Sequence, residues 1–536
     1  MIKWIKRLLS LSLILLLLIT VSLIILTKTI DPNRYRNQIE SFFYHKTGRS
    51  LDIAGNIHWS FFPTLGIIIP DVTIGNPKSD YLNNNNDTSK QAFAKIGEIK
   101  FEAKFLPLFM GRVEISDIHI DHANIKLIQY SAATNNWGHW AEHQPRLRFY
   151  ASLDKKATLM SPKKDINLPV RQVEIQNLSV TNSQIDYQDL TNKNHDTLSG
   201  VQFYLRNFKP DSHSPVSLSF TFKRENNPNQ VNINIESNAH LKKNFELLEL
   251  KEFTLKADWL RPNTEKLAIQ INTNITATNN TNKKQISFND LEIGIATMRA
   301  HGEAHISSQA DQALLDWQLA TDKTALKPFL MALSGDKTGG RFSGDLSSKT
   351  QGQLNLLANN LMDSLNANLI FTIHNGRLDG INLAALIQKA KRLIKGTQGD
   401  QGDQGTQSPD TNSSNYTDFN QMTGTIHCQN GHANNQDLII EFAPYIAKGA
   451  GQVAINAGEA GKIDYELNLQ DSKDSTVVLP IMISGTLSHP VIRPDFEKIA
   501  GQYLKNQIKN QLENVIKNPK EQWKENWRDR LKQLIP

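Results

Sequence analysis

The sequence predicts a mainly β protein: an N-terminal transmembrane helix, then a long curled antiparallel sheet, short helices near its ends and a C-terminal amphipathic helical tail. Three observations predict it. From about residue 50 to about residue 370 the apolar period is two, interrupted by Asn, Asp, Gly and Pro clusters, which marks many short strands. A short apolar kernel recurs through that region. Finally, the 536 residues are only 39% hydrophobic, with a mean hydropathy of −0.42. A compact chain of this length buries more apolar surface, so an elongated shape with much exposed surface fits better.

Residues 1–7 carry Lys3, Lys6 and Arg7, and Leu8 to Leu26 is a run of 19 residues without a charge. At ~1.5 Å rise per residue such a run spans roughly 28 Å, close to the hydrocarbon thickness of a bilayer. The flanking charges place 1–7 in the cytoplasm, although Lys28, Arg34 and Arg36 weaken the asymmetry. A cleaved signal peptide is the competing reading, but Leu26-Thr27-Lys28-Thr29 lacks its small-x-small site. Asp31-Pro32 then reads as an N-cap with proline at the first helical position. Tyr35, Ile39, Phe42 and Phe43 share a face of the helix, and Gly48 stops it.

The repeat is clearest where Val113-Glu114-Ile115-Ser116-Asp117-Ile118-His119-Ile120 aligns without a gap on Val173-Glu174-Ile175-Gln176-Asn177-Leu178-Ser179-Val180. Its kernel, apolar-x-acid/amide-apolar-x-apolar, recurs at Ile69–Ile74, Leu250–Leu255 and Phe288–Ile293. The apolar spacing of three then two changes strand face, so the acid or amide marks a β-bulge or a corner. The spacing between copies is irregular, which excludes a closed propeller or regular solenoid and favours one long sheet. Chance alternation in β-rich sequence is the alternative. Roughly 30 strands at ~4.8 Å would extend near 140 Å.

The chain divides into 1–7, the anchor 8–26, a β region 27–395, a flexible Gly/Gln/Asp/Ser tract 396–418, a second β region 419–494 and a helical tail 495–536. A polar loop with four consecutive asparagines covers 80–91. Leu383, Leu386, Ile387, Ala390, Leu393 and Ile394 form a helical stripe ahead of the tract, and strands resume at Gly424. In the tail, an apolar stripe runs from Phe496 to Ile516, and Asn518-Pro519 restarts a helix bearing Trp523 and Trp527. From Lys505 onward there are 8 Lys/Arg and 4 Asp/Glu. Trp523 and Trp527 therefore suit a membrane interface, though capping the sheet or docking a partner are equally open.

Catalytic and metal readings are weak. A net charge of +6 does not argue nucleic-acid binding, and the single cysteine, Cys428, rules out an intramolecular disulfide framework. His301, Glu303 and His305 would share a strand face, as would His119 and Asp121, but a solvated surface explains both. His139 and His143 lack the zinc-protease order. Gly458-Glu459-Ala460-Gly461-Lys462-Ile463 lacks the first glycine and the hydroxyl of a phosphate loop. The expectation is therefore no enzyme, no cofactor, no metal, and no nucleotide to drive directional work.

A sheet face is normally buried against another layer. Helices here are few and near the ends, so a continuous curled sheet would need a non-protein occupant on its concave face. Acyl chains are natural: at about 0.8 kcal/mol per exposed CH₂, two sixteen-carbon chains crossing water face roughly 25 kcal/mol. Candidate lining positions are the last two apolar residues of each kernel: Val72/Ile74, Ile118/Ile120, Leu178/Val180, Phe253/Leu255 and Leu291/Ile293. Ordinary packing inside a β-sandwich explains them equally well.

Several segments resemble the AsmA family of bacterial envelope proteins. They are the anchor followed by Gly48–Pro63 and Asp71–Asn76, then Phe371–Leu383, Gly449–Val453 and Leu479–Pro490. Residues from about 190 to 360 match only in character. The resemblance implies a single-pass protein of the bacterial inner membrane with its bulk in the periplasm. It also implies a β-groove that binds phospholipid and supports transport toward, or homeostasis of, the outer membrane. An older association implies a scaffold for outer-membrane protein assembly, with the tail reaching the outer membrane or its assembly proteins. The family pattern has no catalytic residues to carry over.

Overall fold

A computed structural model describes residues 31–60, 65–77, 92–103, 114–131, 134–138, 172–209, 212–242, 246–280, 283–309, 312–335, 341–388, 415–456, 461–472, 478–486, 489–495, 498–499 and 501. The anchor 8–26, the polar loop 80–91, His139 and His143, most of the tract 396–418 and the tail with Trp523 and Trp527 lie outside these residues. Among the described residues no helix is long and apolar enough to cross a membrane. They contain 23 strands, fewer than the 30 or so expected, in two units that divide after Ala296.

The first unit holds β1 (Leu51–Ile53), β2 (His58–Ser60), β3 (Gly66–Ile74), β4 (Ala94–Ala103), β5 (Glu114–Ser131), β6 (Thr134–Asn135) and β7 (Gln172–Asp189). It continues with β8 (Asn194–Leu205), β9 (Ser214–Arg224), β10 (Gln230–Leu241), β11 (Leu247–Leu260), β12 (Leu267–Asn280) and β13 (Lys283–Ile295). Strands β3, β4 and β5 pair in sequence order, and so do β7 through β13, all antiparallel. The expected all-antiparallel order fails once. Strands β5 and β7 run parallel, with Ile118 opposite Leu178 and Ile120 opposite Val180. These are the two ungapped repeat copies, lying side by side along most of their length at the offset of their alignment. A parallel pair needs a return crossover, and the long connection between residues 131 and 172 supplies one.

Ahead of β1, Asp31 accepts from the Asn33 N–H and caps a 3₁₀ turn with Pro32 at its start, followed by helix Arg36–Thr47. Gly48 ends that helix at φ 71°, a left-handed value that costs glycine nothing. Ile39 packs onto the sheet, whereas Tyr35 and Phe42, expected on the same face, are exposed.

The kernel's phase slip is real, and two copies carry a further slip beyond it. Asp71, Glu252 and Asp290 have φ of 52°, 52° and 53°, as expected of a corner. In the ungapped pair the register shifts between Ile115 and Asp117 and between Val173 and Asn177, the irregularity expected there, and left-handed residues follow five positions later at His122 (φ 53°) and Asn182 (φ 49°). Gly200 (φ 62°) and Asn375 (φ 49°) occupy the same place in two copies the sequence did not reveal, Leu198–Phe203 and Ile373–Leu378. In β3, β5 and β7 the left-handed slips lie opposite one another, so register is kept across them. In β8, β11 and β13 the extra residue faces an unslipped strand and appears as a register shift.

The second unit holds β14 (Met298–Gln309), β15 (Gln312–Ala325), β16 (Phe342–Asn355), β17 (Asn366–Asp379) and β18 (Tyr416–Gln429). It ends with β19 (His432–Phe442), β20 (Tyr445–Ala454), β21 (Ile463–Asp471), β22 (Val478–Gly485) and β23 (Pro490–Pro494). All pair antiparallel in chain order. Strand β18 begins at Tyr416, so strands resume before Gly424 and residues 416–418 belong to the sheet rather than to the low-complexity tract. From β17 to β22 the apolar face is sealed. Ile373, Met422, Ile440, Ala447, Leu469 and Leu479 form a cross-strand row, each at most 7% exposed. They share a core with Leu383 and Ile387, from the helical turn 383–388, and with Leu326, Phe329 and Leu330 from helix Leu326–Ser334.

Candidate functional site

In the first unit, residues directly opposite one another line up across strand after strand. One row runs Ile69, Ile99, Ile120, Val180, Phe203, Leu218, Ile235, Leu255, Ile271, Ile293 from β3 to β13. A second, across the slips in β3, β5, β7 and β8, runs Ile74, Ala94, Ile125, Ile185, Leu198, Phe222, Val231, Trp259, Leu267. Not one position in either row is polar. The slips make this possible: without the left-handed residue, Val72 and Ile74 would face away from Ile67 and Ile69.

The sequence neighbours of the first row form its polar counterpart: Lys100, His119, Ser179, Tyr204, Ser217, Glu236, Thr254, Asn272, Glu292. The sheet therefore has one apolar and one polar face. Pairings on the polar side include His119 Nδ1 with Ser179 Oγ at 2.7 Å, Asn272 with Glu292, and Lys100 with Glu102.

Cover over the apolar face is uneven. Near the N-terminal helix, Ile53, Ile57, Ile69, Val72, Ile96 and Ala123 form a buried cluster against which Ile39, Ile74, Ile99, Ile120 and Ile125 pack. That cluster reaches no further than β5. From β7 to β13 the first row stays half-buried at every position, and none of its residues joins either core cluster. Nothing among the described residues forms a second layer over it. At ~4.8 Å per strand this uncovered stretch is roughly 29 Å wide.

The candidate lining residues divide accordingly. Val72 is 1% exposed and belongs to the packed cluster, with Ile74 and Ile120 against it. Leu291 is 6% exposed, the buried residue next to a slip. Ile118, Leu178, Val180, Phe253, Leu255 and Ile293 are half-buried on the apolar face, all but Ile118 within its uncovered stretch. Sequence reasoning missed Phe203, which ends an unrecognised copy slipped at Gly200, and Leu218, Ile235 and Ile271, whose signal is plain period-two alternation without a slip.

One margin of the face is locked. Arg49, 1% exposed, lies 4.4 Å over the Phe93 ring and donates to the Asn136 carbonyl at 2.7 Å; burial draws its guanidinium down to about 10. Asn136 in turn accepts from the Ile128 N–H at 2.7 Å and donates to the Lys126 carbonyl and to Asn76. The Asp121 carboxyl is raised by burial, but hydrogen bonds from Thr181, Asn182 and His122 outweigh this and hold it at about 2.

The histidine motifs do not converge. His301 meets Asp322 at 3.3 Å, while Glu303 and His305 line an open polar depression of about 410 Å³ with Asp316. His119 pairs with Ser179 rather than Asp121.

Residues 1–273 match the family model described as the AsmA family. The chain belongs to the AsmA family. No curated protein and no solved structure matches it. Within the AsmA match lie the whole of the first row up to Ile271 and both copies of the parallel repeat.

Proposed function

We propose that this AsmA-family chain binds the acyl chains of phospholipids along the apolar face of its first unit and passes them along it, as a protein of the bacterial envelope held in the inner membrane by residues 8–26. The observation that carries this reading is the contrast between the two units. The same kind of cross-strand apolar row is sealed by helices from β17 to β22 in the second unit and left half-buried from β7 to β13 in the first. Monomeric proteins rarely leave so extended an apolar surface without a partner for it. A continuous row with no polar interruption suits a flexible hydrocarbon chain, which needs no fixed hydrogen bonds, while the headgroup stays in water. The movement is passive sliding, its direction set by supply and demand at the two membranes. Trp523 and Trp527 are proposed to meet a membrane interface at the far end.

Photo-crosslinking tests the reading. A photoreactive residue at Val180, Ile235 or Ile293 should capture lipid in cells, and one at Ser179, Asn234 or Glu292 should not. Equal labelling from both faces, or none from either, would refute it.

A further inference from the structure

The polar face of the first unit carries a cluster that lipid binding does not use. His213 immediately precedes β9, whose Ser214 pairs with Ala239, so His213 sits beside His240 on β10. His240 is directly opposite Glu249 on β11. The two imidazole rings lie 5.0 Å apart at 38°, and His240 Nδ1 is 2.7 Å from Glu249 Oε2. One donor atom from each of the three residues falls within 4.8 Å of the others.

The hydrogen bond between His240 and Glu249 does not account for the second imidazole beside it. Glu249 lies on the Nδ1 side of His240, so an ion held by all three residues would take the place of the proton those two share. Two imidazoles and one carboxylate form a nitrogen-rich set that suits zinc and its transition-metal neighbours and disfavours magnesium and calcium, which prefer oxygen. Tetrahedral donors stand ~3.3 Å apart, so rotations moving the side-chain tips by about 1 Å complete the site.

We propose that His213, His240 and Glu249 bind one divalent transition-metal ion of the zinc class, tying β9, β10 and β11 together on the polar face behind the uncovered apolar rows. Three protein ligands leave a coordination position for solvent.

The test uses the full chain in detergent, stripped with chelator and titrated with Co²⁺ and then Zn²⁺. The wild type should develop the visible d–d absorption of a low-coordinate nitrogen/oxygen site, saturating at about one equivalent and bleached by Zn²⁺. His240→Gln and Glu249→Gln should each weaken Zn²⁺ binding at least tenfold, with circular dichroism confirming that they fold. Absence of the cobalt spectrum in the wild type would overturn the proposal without reference to any variant. Zinc retention equal in wild type and in folded His213→Ala/His240→Gln protein would overturn it as well. Neither outcome bears on lipid binding.

Discussion

Changing Ile235 to Asp tests the proposed face most sharply, because its chain neighbour Asn234 offers the same new charge on the opposite side. Ile235 sits in the middle of the uncovered row, opposite Leu218 on one side and Leu255 on the other. Asn234 is exposed between Ser219 and Lys256, where an added carboxylate meets an opposite charge. A hydrated carboxylate at 235 would clear about one strand spacing of the row, ~4.8 Å, and so strip cover from roughly four methylenes, costing about 3 kcal/mol. As a barrier to sliding, that slows transfer about 200-fold. The assay is transfer of fluorescent phospholipid between donor and acceptor vesicles by the full-length chain, with thermal melting to confirm folding. Ile235→Asp should lose transfer and Asn234→Asp should keep it. A folded Ile235→Asp protein that transfers within twofold of wild type would refute the argument. Leu291→Asp is a poor substitute, since Leu291 is 6% exposed and its loss disturbs folding.

Further outcomes follow from the packing and the slips. Ile481, fully buried in the second unit, should lose about 2–5 kcal/mol as Ile481→Ala, whereas Ile370→Ala, 56% exposed, should stay within about 0.5 kcal/mol, both read from denaturant melts. Gly200→Ala meets no atom within 4 Å, so its cost of about 1–2 kcal/mol should come from φ alone, and Asn375→Val should cost at least as much while Asn375→Gly is tolerated. Asp121, depressed to about 2, contributes stability that is present above the ordinary carboxylate value of ~3.9 and is lost as the pH falls through its folded value. An acid titration of stability should therefore be flatter in Asp121→Asn than in wild type between about pH 4 and 2, and identical curves would contradict the assignment.

Much of this fold was legible because strand alternation is a local property. The period of two marked the strands, and the acid at Asp71, Glu252 or Asp290 flagged a change of phase because short polar side chains tolerate left-handed backbone. The same slip went unseen at Gly200 and Asn375, and so did the second one at His122 and Asn182, because apolar spacing alone allows two registers in a long alternating strand. The parallel pairing of β5 and β7 depends on how the intervening chain returns, which no local pattern encodes. The candidate face was half legible. Its residue types were visible, but whether Val72 is packed while Leu255 stays half-exposed is decided by what lies above them. Ile39 and its neighbours reach the first and nothing described reaches the second. The stripe at Leu383, Leu386 and Ile387 was readable as a helix; that it seals a core row was not. The pairing of His240 with Glu249 escaped notice for the same reason, since they stand nine positions apart in the chain and on different strands.

The most direct test is to weigh the protein with what it carries. Native mass spectrometry of the full-length chain, extracted gently from bacterial membranes, should show phospholipid bound in the wild type and lost in Ile235→Asp but not in Asn234→Asp. Wild-type protein that is folded and free of lipid, or lipid retained equally by all three, would contradict the account.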